Sequence, residues 1–181
     1  MNDAPPLTND AAPETAPLDL FTASLDRLEV GWTCTDAAGF AEALDAVLEA
    51  PAVGAALPFD DVSLENTSVN CDPTPAEVAD ARTGVTAARL AIADYGSIAV
   101  DHARTAGDLA SLFPALHVAV LRASDVVPGM TDAFSALGPI FRDEQTSLVL
   151  ATGPSATADM GALVKGAHGP RRVHVLLLED R

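Results

Sequence analysis

Lysine is almost missing from this sequence. Lys165 is the only one in 181 residues, and the other nine cations are arginines. Against these ten bases stand 26 acids, 18 Asp and 8 Glu, which leaves a net charge of −16. Such a surplus repels a phosphate backbone and excludes sequence-independent nucleic-acid binding. It also disfavours anionic membrane surfaces. Cysteine is scarce as well, with only Cys34 and Cys71, which do not form a CxxC pair. Two thiols cannot supply the roughly four thiolates of an iron–sulfur cluster, nor a zinc site without help from histidine. A cytosolic disulfide is disfavoured, so both cysteines are expected to be small, half-buried hydrophobes. No charge-free apolar run reaches the roughly 18 residues of a transmembrane helix. The opening MNDAPPLTND lacks the basic and apolar regions of a signal peptide. The expected location is therefore the cytoplasm.

The apolar content is ample. A hydrophobic fraction of 49% excludes wholesale disorder. The length of 181 residues points to one domain. A chain of this size buries about two-thirds of its unfolded surface and needs no metal or disulfide staple. The acids are spread through most of the chain. That distribution suits a halophilic surface, where hydrated carboxylates keep a protein soluble in molar salt. Acidic drift in a GC-rich genome would give the same count.

Residues 1–17 combine Ala, Pro and short polar residues with three acids, and read as a disordered acidic lead-in to a single domain over 18–181. RLEVGWT (27–33) reads as a first strand. Thr35-Asp36 then caps an amphipathic helix running to about Ala50, with Phe40, Ala43, Leu44, Val47 and Leu48 at helical spacing. Val53 to Leu57 reads as a strand, and 58–74 as a loop. Thr74-Pro75 with Glu77 marks a helix start. The stretch 83–102 reads as two strands around the turn Asp94-Tyr95-Gly96-Ser97, followed by a short helix that Pro114 ends. HVAVLRA (117–123) and SLVLAT (147–152) are continuous apolar runs, as in strands buried on both faces, and VHVLLLE (173–179) is a third. Helices are expected at 130–141 and 157–165. This order predicts an α/β fold with a mainly parallel sheet and covering helices.

The most unusual stretch is GPSATADMGALVKGAHGP, 153–170, directly after an expected strand. In open parallel sheets, ligands sit outside the carboxyl ends of strands. Gly153 allows a sharp turn. Ser155 and Thr157 can cap a helix or donate to a ligand oxygen, and first-turn amides make an anion site. Asp159 would sit in the first turn, where the helix dipole favours its charge. The same three residues would serve equally as plain caps. Between 153 and 172 lie one acid, Asp159, and three bases, Lys165, Arg171 and Arg172, a local +2 in a chain of −16. An anionic ligand or a partner's carboxylate would account for this island. So would solvated edge residues flanking a strand. His168 lies between glycines and can act as acid, base or donor near neutral pH, although a lone loop histidine more often only hydrogen-bonds. His174 alternates within an apolar strand and reads as structural. His102 and His117 have no HxH or HExxH context, so no metal site is expected. Dinucleotide, nucleotide-triphosphate and nucleophile-elbow motifs are absent.

GPSATAD (153–159), its spacing to LVKGAHGP (163–170) and the following RVHVLLLE (172–179) resemble the lactate-utilisation protein C (LutC/YkgG) family of LUD-domain proteins. GVTAARLAIADYGSIAV (84–100) and SLFPALHVAVL (111–121) fit the same family. The likeness spans 84–179. It implies a three-layer α/β fold akin to the NagB/RpiA/CoA-transferase group. It also implies a role in oxidation of L-lactate to pyruvate beside iron–sulfur partner proteins, with no cluster or other cofactor in this chain. The sequence departs from the family's pattern at Ala156, where a base is frequent, at Met160-Gly161 in place of Ile-Glu, and at Tyr95 in place of Thr.

Three functions follow as expectations. In the first, the chain is a component of a lactate or related 2-hydroxy-acid oxidation system. Its loop binds a small carboxylate or other small anion through Gly153, Ser155, Thr157, Lys165, Gly166, His168, Gly169 and Arg171. His168 and Asp159 are the candidates for catalysis. In the second, it is a non-catalytic ligand-binding or scaffold subunit, because electron or hydride carriers must come from elsewhere. The third, a transferase or isomerase acting on a phosphorylated or CoA-linked substrate, rests on fold analogy.

Overall fold

The computed structural model describes residues 16–101, 106–143, 147–157, 161 and 163–179. The expected tail at 1–15 lies outside them. The chain enters on α1 (Pro17–Arg27), in a stretch where no element is expected from the sequence. Phe21, Ser24 and Leu25, at i, i+3 and i+4, form its buried stripe. Then come β1 (Gly31–Thr35), α2 (Phe40–Asp45), β2 (Ala52–Gly54), β3 (Val69–Asn70) and α3 (Pro75–Asp80). β4 (Thr83–Ile92) and β5 (Ser97–Asp101) are followed by a 3-10 turn (Ala106–Ser111), β6 (Leu116–Arg122) and β7 (Val126–Val127). The chain closes with α4 (Met130–Asp143), β8 (Leu148–Thr152), β9 (Ala156–Thr157), β10 (Val164–Lys165) and β11 (Arg172–Leu178).

Six strands in the order β1-β11-β6-β4-β2-β3 pair in parallel and form the central sheet. β6 and β11 lie in its middle, which is why their sequences are unbroken apolar runs. Alternation sorts their side chains. Ala119, Leu121, Val173, Val175 and Leu177 pack with Phe21 and Leu25 of α1. Leu116, Val118, Val120, Leu176 and Leu178 pack with Phe40 and Leu44 of α2 on the opposite face. Helices therefore cover both faces, as expected for an α/β fold of three layers with a mainly parallel sheet.

Three local expectations need correction. α2 ends at Asp45, not near Ala50. The buried Thr83 hydroxyl accepts from Glu49 N and donates to Glu49 O, both at 2.9 Å, which captures the backbone groups that a longer helix would use. β8 is not a parallel strand buried on both faces. It pairs antiparallel with β5 at the sheet margin, and Val149 and Leu150 are 37% and 38% exposed. Third, 157–165 is not a single helix, because its described ends are the antiparallel strands β9 and β10, with Val164 opposite Thr157. Positive φ at Gly161 (83°) and Gly166 (81°) turns the chain back on itself. The capping box at Thr74 and Glu77 forms as the sequence suggests.

β4 joins two regions. Its first half pairs with β6 in the parallel sheet, while Ala88 to Ile92 pair antiparallel with β5, with a register shift between Ala88 and Leu90. β5 and β8 thus form an arm that leaves the plane of the central sheet, and α4 packs on it through Ala133 and Leu137. At the base of β4, Gly84 lets the 3-10 turn touch the strand: a Cβ there would lie 1.7 Å from the Ala110 carbonyl oxygen. Gly84→Ala is expected to cost about 3 kcal/mol, read as a lower urea midpoint at unchanged m. A midpoint equal to the wild type would show that the turn is not seated on this strand.

Candidate functional site

The arm, the α1 face of the sheet and residues 153–156 and 168–170 enclose a cavity of about 370 Å³. Its floor is Val173 and Val175 of β11 with His117 of β6, and Ile98, Val100, Val149 and Ala151 of the arm form one side. Leu25 and Val30 close the α1 end, and Gly153, Ser155, His168 and Gly169 form the rim. The volume and the mostly apolar lining with a few polar groups suit a small ligand. Among the described residues that line it there is no Asp, Glu, Lys or Arg.

The rim is shaped by its own backbone. Ser155 N donates to Pro170 O at 2.9 Å, and Gly166 N donates to Ser155 O at 2.8 Å. Arg171 N and Arg172 N both donate to Ala115 O, at 2.9 and 3.0 Å, which ties the segment to the amino end of β6. A Cβ on Gly169 would stand 3.1 Å from Ser155 Cβ, so the missing side chain lets His168 and Ser155 sit on the same wall. Gly153, at φ 67°, makes the turn out of β8. The cavity thus lies beside the amino ends of β6 and β11, not at the carboxyl ends where parallel sheets usually hold ligands.

Of the residues singled out in the sequence, Gly153, Ser155, His168 and Gly169 meet at the cavity. Thr157, Lys165, Gly166 and Arg171 are not among its lining. Thr157 is paired in β9, and the Arg171 stem lies across Gly166, whose Cβ would fall 1.9 Å from Arg171 Cγ. Asp159 lies outside the described residues, as does His102. The helix N-terminus expected to bind an anion is replaced by the β9–β10 pair. The basic island is also largely neutralised. Lys165 Nζ meets Glu29 Oε2 at 2.5 Å and Arg172 meets Glu49 at 2.8 Å. The Lys165 ammonium in turn holds the Glu29 carboxyl below its usual range. These acids are remote in sequence, so a local charge count does not see them.

His117 is what the sequence reading missed. It is 2% exposed, and its Nε2 lies 2.8 Å from Thr86 Oγ1 on the neighbouring strand. The only signal was positional, since His117 shares the sheet face of Ala119 and Leu121, next to the segment that resembles the family. Burial pushes its pKa down to about 4, so it is neutral at physiological pH. Burial also lowers His174 on the opposite face, where Thr33 Oγ1 lies 3.0 Å from its Nε2. Cys34 and Cys71 are free thiols and exposed, not half-buried, and desolvation nonetheless raises both. Among the described residues no group of three or more His, Cys, Asp or Glu could hold a metal ion. Nor is any described helix long and apolar enough to cross a membrane.

The neutral His117 makes stability depend on pH. An unfolded histidine takes a proton near pH 6.5, the folded one near pH 4. Between those values the unfolded state binds more protons, so stability falls as the pH falls. From pH 7.5 to 5.0 the wild type is expected to lose about 2 kcal/mol more than His117→Gln, measured by urea unfolding at both pH values. Equal losses would place the imidazole in contact with solvent.

Comparison with known proteins bears on this geometry. Residues 41–178 match the family model described as the LUD domain. A lactate utilization protein C from Deinococcus radiodurans is 34% identical over 105 residues, covering 57% of this chain and 49% of that protein. Its counterpart from Bacillus velezensis is 33% identical over 105 residues, covering 56% and 44%. The one from Macrococcus caseolyticus is 30% identical over 105 residues, covering 56% and 46%. The chain spans about half the length of the curated relatives it matches. The crystal structure of a DUF162 family protein from Deinococcus radiodurans superposes with a TM-score of 0.68 at 24% identity, covering 90% of this chain and 96% of that one, and shows the same fold.

Proposed function

The chain belongs to the LUD-domain family, and on that premise we propose that it is a component of a lactate-utilisation system whose cavity takes L-lactate or a closely related small 2-hydroxy or 2-oxo acid. The observation that carries this reading is the position of 153–170. Ser155, His168 and Gly169, from the segment whose sequence resembles lactate-utilisation proteins, form the rim of the cavity. Hydrogen-bond donors there meet the carboxylate, and the apolar walls accept the short carbon chain. The Ser155 hydroxyl and the His168 ring provide hydrogen bonds of the charge-assisted kind. Oxidation of lactate needs an electron acceptor, and two cysteines cannot hold an iron–sulfur cluster. The resemblance to lactate-utilisation proteins implies iron–sulfur partner proteins as the carriers that take up the electrons.

The lining favours this over a phosphorylated or CoA-linked substrate. A phosphate dianion calls for Arg, Lys or a helix N-terminus, and the described lining residues include neither Arg nor Lys. Thermal unfolding with L-lactate, pyruvate, a sugar phosphate and a CoA ester separates the cases. Saturating lactate or pyruvate is expected to raise the midpoint by several degrees. Ser155→Ala should weaken the binding about tenfold. A shift with the phosphate or the CoA ester, and none with either acid, would overturn the reading. Deleting the gene in its native host should likewise impair growth on lactate.

A further inference from the structure

The carboxylate reading leaves open how the cavity distinguishes a hydroxy acid from a plain fatty acid of the same length. The rim residues answer to a carboxylate and take no account of the second carbon. The floor answers to something else. Among its apolar neighbours Val173 and Val175, His117 presents an imidazole. One ring nitrogen, Nε2, is engaged by Thr86 Oγ1 at 2.8 Å. The other, Nδ1, is hydrogen-bonded by no described residue. Yet none of the buried side-chain nitrogens and oxygens among the described residues lacks a partner, so Nδ1 is not sealed into the core. His117 is itself among the residues that line the cavity, so Nδ1 is the ring nitrogen left for a ligand there.

Resting on the reading above, we infer that His117, fixed by Thr86, is the specificity-determining residue that hydrogen-bonds the 2-hydroxyl of the bound acid. The pair is suited to the task in three ways. Thr86 and His117 stand on adjacent parallel strands, β4 and β6, near the middle of the sheet, so the ring is held by the most rigid part of the fold. The ring is uncharged, so it reads a hydroxyl without acting as a second site for the carboxylate. A hydroxyl both donates and accepts, so it satisfies Nδ1 in either tautomer that Thr86 selects. An acid without the hydroxyl leaves Nδ1 facing a methylene group. A buried polar atom without a partner is penalised, and that penalty is the source of discrimination.

The test is a titration of the full chain with L-lactate and with propionate, which lacks only the hydroxyl, followed by calorimetry or NMR. The wild type is expected to prefer lactate by about tenfold or more. His117→Phe should bring the ratio close to one by weakening lactate and sparing propionate. His117→Gln, which keeps a donor and an acceptor, should restore part of the preference. Thr86→Val, close to isosteric, should lower the ratio with the ring still present, which covers the case in which the phenylalanine variant does not fold. A wild-type ratio near one, or a ratio that survives Thr86→Val and the folded His117 variants, overturns the inference and leaves the carboxylate reading standing. Failure of both acids to bind the wild type overturns the carboxylate reading, and the inference with it.

Discussion

β4 has to belong to two sheets at once, and most of what is distinctive in this molecule follows from that constraint. Its first five residues are an inner strand of a parallel sheet, and its last five pair antiparallel with β5, the end of them also meeting β7. A single flat ladder cannot satisfy both. The register shift between Ala88 and Leu90 resolves the conflict, because an irregularity of this kind bends a strand and adds twist. Arg89, at the shift, turns to Asp101 of β5 at 2.5 Å, which fastens the arm where it departs. Once β5 and β8 have left the plane, the sheet face beneath them is only partly covered by α1. The uncovered part is the cavity. Gly84 belongs to the same constraint, since the 3-10 turn must approach β4 closely to cover the strand before it bends.

Charge is distributed in a way that the total conceals. The chain carries a net −16, yet the described lining of the cavity holds no Asp, Glu, Lys or Arg. Two of the three bases at 165–172 are matched, Lys165 by Glu29, beside β1, and Arg172 by Glu49, beyond α2, both far away in sequence. Such exposed pairs contribute little to stability. Their effect is on the site: they remove the positive field that the sequence implies for 153–172. What remains for an anion is a set of oriented dipoles and hydroxyls, which act only at contact distance.

The inner strands β6 and β11 were legible in the sequence because their code is local, whereas β3 lies in 58–74, read as a loop, and β1 begins four residues later than expected. HVAVLRA and VHVLLLE are apolar apart from His117, Arg122, His174 and Glu179, as suits strands covered on both faces, and Thr74 with Glu77 announces α3 through a three-residue spacing. β8 has the same apolar composition and sits at a margin. The run SLVLAT contains no mark that separates the two, since its position depends on β5, some fifty residues away. α2 is cut short by Thr83, also distant in the chain. The site was half legible for the same reason. Gly153, Ser155, His168 and Gly169 fall in one segment and were found together. His117 and Thr86 meet only because β4 and β6 are neighbours, and neither carries a motif.

A cavity whose described lining lacks Asp, Glu, Lys and Arg is physically consistent with a carboxylate ligand, even in a strongly acidic protein. The opposing force is long-range repulsion from the surface acids. It decays over a screening length of about 8 Å at 0.15 M salt and about 3 Å at 1 M. The favouring force is a few hydrogen bonds to an ionised oxygen, each contributing roughly 1.5–3 kcal/mol, and these are barely screened in an enclosed site. Added salt therefore weakens the repulsion much more than it weakens the contacts. A cationic side chain in the cavity would strengthen the grip on every anion, phosphate and chloride included, and would blur the choice among them. With no Lys or Arg among the described lining residues, the work of selection falls to shape and to polar contacts. There the difference between a hydroxyl and a hydrogen on one carbon is as large as any the cavity can sense.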